Sequence, residues 1–265
     1  NSEKNAAGEI THKAVAENTK DILFNNTSKN GIGMFSQDGG EIVNKGNIKG
    51  IGDKLEKTIG MVIQKALTTA GNNNTASSGV NAGKIELRGK QVTGVFNQGK
   101  FTMTGGSILT SGEKSISLYA KGTTATTKIV KGDITAENKA LGLYADNTEI
   151  ELGDAANANT VNLTAKGAGT LLFYNYTKNA GGTYTPSGKF KLLNNISGTI
   201  KDGATAFYYR DSATAATISQ RLNDMFNDTG STAGKKLKLK MEDNSTLFVL
   251  ENTTPSTTAI NLSSV

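Results

Sequence analysis

Only a handful of side chains in this sequence have the type and spacing to do chemistry. His12 is the one histidine, so a nucleophile–His–acid relay has a single possible base, and no Ser or Asp is spaced to it in a triad pattern. It reads as an exposed or capping residue. The chain has no Cys, and one histidine without thiolates cannot build a zinc or other soft-metal site. No metal and no cofactor are expected.

The run Gly94-Val95-Phe96-Asn97-Gln98-Gly99-Lys100 has the spacing of a phosphate-binding loop. Phe101 stands where the magnesium-binding Ser or Thr belongs, and no helix pattern follows. Asp38-Gly39-Gly40 lacks the tandem Gly and Asp positions of a calcium roll. Sugar-cleaving solenoids set two or three acids, or an acid with Arg or Lys, on neighbouring coils of one face. Asp133, Asp146, Asp202 and Asp211 with Arg210 are the candidates here, but Gly132-Asp133 and Asp202-Gly203 are turn pairs and no close acidic cluster forms. The sequence is therefore read as non-enzymatic.

Binding chemistry is better represented. Phe35, Phe96, Tyr119, Tyr144, Phe173 and Phe207 recur in like phrases and would stack as a column. Facing out, they would be a sugar platform; facing in, core. A structural ladder is the favoured reading. Tyr174 and Tyr176 lead into a loop, 178–188, that carries Tyr184, and exposed Tyr and Asn make adaptable contacts for glycans or proteins. Tyr208, Arg210 and Arg221 are further candidate contacts. Lys236, Lys238 and Lys240 alternate with Leu237, Leu239 and Met241, so the three lysines point one way and could meet anionic sugars or acidic protein surfaces.

The elements that position these residues follow from a repeat. A small residue, an apolar residue, an aromatic or Val, and a small or polar residue recur at Gly33-Met34-Phe35-Ser36, Gly94-Val95-Phe96-Asn97, Ser117-Leu118-Tyr119-Ala120 and Gly142-Leu143-Tyr144-Ala145. Looser copies begin at Gly60, Thr170, Thr205 and Thr246. The intervals average about 30 residues, one solenoid coil each, so about eight coils fit. Each copy is followed by a second strand of period two, such as Glu41-Ile42-Val43-Asn44 or Glu149-Ile150-Glu151-Leu152. With 31 Gly, 2 Pro, no Trp and only 36% hydrophobic residues, short strands and many turns are favoured over a globular core.

The expected fold is all-β: a right-handed parallel β-helix of about eight coils over residues 1–265, a fragment of a longer protein, with a helical insertion at 212–236. In that insertion Ile218, Leu222, Met225 and Phe226 fall on one helical face, which must dock on its own coil or on a partner. Residues 53–67 are read as coil rather than helix.

Net charge is +6, from 29 Lys and Arg against 23 Asp and Glu, with only Arg88, Arg210 and Arg221 as arginines. Scattered lysines do not make a base-reading surface, and no nucleic-acid partner is expected. No heptad run points to a coiled-coil stalk, and a monomer is expected.

At Gly31-Ile32-Gly33-Met34-Phe35, Asn44-Lys45-Gly46-Asn47-Ile48 and Ala140-Leu141-Gly142-Leu143-Tyr144-Ala145 the chain resembles the passenger regions of large monomeric autotransporter adhesins of the fusobacterial type, over most of its length from about residue 20. The resemblance implies a right-handed β-helix delivered to the bacterial cell surface by type V secretion. It implies anchoring in the outer membrane only through a C-terminal barrel outside this segment. It also implies a virulence role in host-cell adhesion, with a host glycan, a host receptor protein or a partner bacterium as ligand.

Overall fold

The computed structural model describes residues 3–6, 10–65, 68–69, 72–73, 76–156, 159–178, 182, 184–193, 195–211, 215–227 and 237–252. Three parallel sheets of eight strands each run the length of the molecule, and the chain visits them in strict rotation, so eight coils stack as a three-sided parallel β-helix. The first face runs from Val15–Asn18 to Phe226–Asn227, the second from Asp21–Phe24 to Leu237–Met241, and the third from Ile32–Ser36 to Thr246–Asn252.

Period-two alternation turns every other side chain inward, and parallel register then stacks like on like. On the second face Ile22, Ile48, Ile85, Ile108 and Ile134 form one column, continued by Leu163. On the third face Met34, Met61, Val95, Leu118, Leu143, Phe173, Phe207 and Phe248 form another. The small residue opening each repeat phrase has a steric cause. A Cβ on Gly33, Gly60 or Gly142 would come within 2.7, 2.6 or 2.7 Å of a backbone carbonyl oxygen in the next coil.

The core changes along its length. In the first three coils an inward column of the first face is polar: Asn18 donates to Asn44 Oδ1, and Asn44 to Asn81 Oδ1, both at 2.8 Å. Met103, Ile129, Leu152 and Leu192 continue that column. In the last coils Phe173, Phe190, Phe207 and Phe226 pack ring to ring, with centroids 5.0 to 5.8 Å apart. Across the outer surface Arg88 reaches past Ser111 of the intervening coil to Glu137, at 2.7 Å.

One expectation needs adjustment. Phe173 and Phe207 do not join the outer aromatic column, because each stands one residue earlier in register, in line with Leu143 rather than Tyr144; a one-residue slip swaps faces. Their outer neighbour is Tyr174, which pairs with Tyr144. The helix, Ala215–Met225, docks on its own coils. Ile218 and Leu222 pack on Tyr209, Phe248 and Leu250, while Met225 and Phe226 enter the main core. Residues 53–56 and 59–63 are strand rather than helix, as expected; residues 66 and 67 lie outside the described residues.

Candidate functional site

Every coil turns three corners, and the corner from the third face to the first behaves unlike the others. Between coils one and two it spans 37–40, between three and four 98–99, and between five and six 147–148. Between coils two and three it lengthens to 64–77, between six and seven to 175–188, and between seven and eight to 212–225. These are the longest excursions between faces, and all three leave one edge. The last two leave adjacent coils and make up the candidate site.

The excursion after coil six is an antiparallel hairpin, Tyr176–Lys178 with Tyr184–Pro186. Its base is fastened by polar groups. Tyr144 donates its hydroxyl to the Tyr176 carbonyl at 2.7 Å. The Tyr176 hydroxyl is hydrogen-bonded to both the carbonyl and the N–H of Arg210 in the next coil. Asp146, 4% exposed, accepts from Tyr119 at 2.7 Å and from the Thr177 hydroxyl, with Lys121 at 3.5 Å. Burial, then the bond to Asp146, raises the Tyr119 phenol pKa well above its ordinary range. Insertion of the hairpin has a local cost. Asn97, at the matching short corner, accepts from the Gly99 N–H at 2.9 Å, whereas the Oδ1 of buried Asn175 has no partner.

The outer aromatic column runs into this site. Phe96, Tyr119, Tyr144 and Tyr174 are consecutive, half-buried rungs. Tyr119 and Tyr144 stack face to face at 4.4 Å and 4°. Phe96 and Tyr174 lie tilted or edge-on against them, at 5.1 and 4.9 Å. Rings that stack on one another offer solvent their edges, while a sugar needs a free face. The column faces outward, and because its rings cover one another it is a ladder rather than a platform.

The predicted contact residues divide clearly. Tyr174, Tyr208, Arg210 and Arg221 gather around the hairpin and the helix. Tyr208 is half-buried, and burial followed by its bond to Glu251 pushes its phenol up. Arg210 is exposed and 3.8 Å from Glu251 of the next coil. Arg221 lies exposed on the helix. Tyr176, by contrast, is 1% exposed and spent on the latch, so it offers a ligand no surface. Tyr184 opens the second hairpin strand. Lys238 and Lys240 are exposed on the second face, away from this edge, and Lys240 is ion-paired with Glu242. Lys236 lies outside the described residues.

The acids weighed for sugar cleavage are dispersed. Asp133 accepts from Asn162 at 2.8 Å on the second face, Asp202 sits in a turn 3.9 Å from Lys166, and Asp146 is the latch. Among the described residues no three His, Asp or Glu side chains converge on a possible metal position. No described helix is long and apolar enough to cross a membrane.

The sequence singles out the aromatic and arginine residues gathered here, but not Asp146 as the residue that fastens the hairpin. The available signal was that Asp146 sits where short corners begin. The chain matches no protein-family profile, no curated protein and no solved structure.

Proposed function

We propose that this chain is a non-enzymatic segment of a bacterial surface adhesin, an autotransporter passenger in which a uniform β-helical rod displays binding loops toward a host glycan, a host receptor or a partner bacterium. The observation that carries the reading is the gathering of the longest excursions on one edge of an otherwise regular prism. Packing of the coils does not require that clustering, since a loop closes at similar entropic cost on any corner. A rigid base beneath a variable tip is also how binding loops are commonly presented. Tyr and Arg, the residue types that dominate interface energetics, lie at the base of the hairpin and on the helix.

The test replaces 176–187 with a short corner patterned on Gln98-Gly99 and compares the variant with the parent for retention on host cells, on partner bacteria and on a glycan array. The reading predicts a folded variant that has lost retention. Retention unchanged in that variant and in an Arg210→Ala, Arg221→Ala double variant would sink it.

A further inference from the structure

The corner from the second face to the third has one position whose left-handed backbone conformation recurs in every coil. It lies two residues before the third-face strand and is occupied in turn by Asn30, Lys57, Gln91, Lys114, Lys139, Gly169, Gly203 and Asn244, with φ of 57, 51, 56, 59, 69, 79, 81 and 56°. Gly and Asn adopt this conformation readily, whereas a longer L side chain crowds the following carbonyl. Coils one, six, seven and eight use those two residue types. Coils two to five do not, and three of the four carry lysine. The remaining non-glycine residues with positive φ among the described residues are all Asn or Asp. Long side chains have therefore been placed at four stacked positions where the backbone disfavours them, an outlier of the kind that marks function.

The charge around these positions is only partly compensated, five lysines against two carboxylates. Lys29, Lys57, Lys90, Lys114 and Lys139 line the edge, and Glu56 and Glu113 are the carboxylates that serve them. Glu56 is shared between Lys29 and Lys57 at 3.6 and 3.7 Å, and Glu113 between Lys90 and Lys114 at 3.8 and 3.6 Å. Lys139 pairs with no carboxylate among the described residues. Elsewhere the surface makes tighter pairs, such as Lys13 with Glu41 and Lys45 with Glu17, both at 2.8 Å. Lys57, Lys90 and Lys114 are all more than half exposed.

We infer that this lysine edge binds a linear anionic polysaccharide lying along the β-helix axis, its sulfates or carboxylates meeting the stacked ammonium groups. Strand spacing puts the ammonium groups of coils two to five on a track of about 14 Å, matched by a chain with regularly repeated charge. Lysine point charges suit dispersed anions, while nucleic-acid readers add free arginine forks and exposed stacking rings; the nearby Arg88 is occupied by Glu86 and Glu137. The site is separate from the hairpin and helix, so it stands or falls independently of the loop-binding reading.

The test uses retention on immobilised heparin, with hyaluronate as the carboxylate-only probe and neutral dextran as blank. Lys57→Asn, Lys114→Asn and Lys139→Asn together place at coils two, four and five the residue already native at coils one and eight. The folded state should be at least as heat-stable as the parent, while retention falls about tenfold and loses most of its salt dependence. The same three positions changed to Gln, the native residue of coil three, keep much of the side-chain stem and should also lose retention. Changed to Arg they should keep it. Unchanged retention in the Asn or Gln variants overturns the inference. So does equal retention on single-stranded DNA, or loss of retention on shortening the hairpin alone.

Discussion

Tyr144 holds the floor of the hairpin: its hydroxyl donates to the Tyr176 carbonyl at 2.7 Å while its ring stacks on Tyr119. One side chain thereby joins the regular ladder to the irregular loop. Tyr144→Phe keeps the stacking and removes the hydrogen bond, at a cost of about 1 kcal/mol. The loss should be local, with faster amide exchange across Tyr176–Lys178 and little change in the first three coils. Uniform exchange changes throughout would contradict this coupling.

The asparagine ladder gives a contrast between one change and three. Asn44→Ala leaves the buried Asn81 carbonyl oxygen without its partner, and about 1–3 kcal/mol should be lost. Replacing Asn18, Asn44 and Asn81 all by Leu extends the apolar column of Met103 and Ile129, and should cost less than the single change. Urea midpoints of the two variants decide the order.

Stability should fall at both ends of the pH range. The hydrogen bond from Lys13 holds Glu41 below its ordinary pKa of 4.5, and that from Lys84 does the same for Glu86. Burial opposes the effect at Glu151, but Lys191 and Lys128 outweigh it. Lowered folded-state values mean a contribution that is complete above about pH 5.5 and lost as pH falls below 4.5 through the folded pKa values. Tyr119 is shifted the other way, so its contribution is present below pH 10 and lost as pH rises beyond it. Melting temperature against pH should show both arms, and Tyr119→Phe should weaken the alkaline one.

Lys114→Gly should raise stability, by up to about 1 kcal/mol, because the backbone at φ 59° suits Gly better than Lys. The same change at Lys121, an exposed third-face strand position, should lower it. Chemical denaturation of the two variants checks the sign.

The eight coils, the alternating strands and the helix were legible because each rests on periodicity, which survives in a single sequence. Phe173 and Phe207 were misplaced because the repeat phrase is symmetrical enough to accept either of two registers when small residues no longer open it. Only stacking on Leu143 decides between them. Tyr176 looked like an exposed contact because nothing local reveals that Arg210, thirty-four residues away, offers its backbone to the phenol. The lysine edge was invisible for a related reason. Lysine carries no turn signature, and its left-handed conformation emerges only when coils are aligned on their third-face strands.

Arg88 and Glu137 close a clasp around coil four without touching it through the backbone. Like the bond from Lys13 to Ser78 across coil two and the contact of Phe173 with Phe226 across coil seven, such a clasp sets a minimum size for opening. Coil four cannot detach while its two flanking coils remain joined. Under a pulling force the rod should consequently yield in steps larger than a single coil, with coils three to five giving way together.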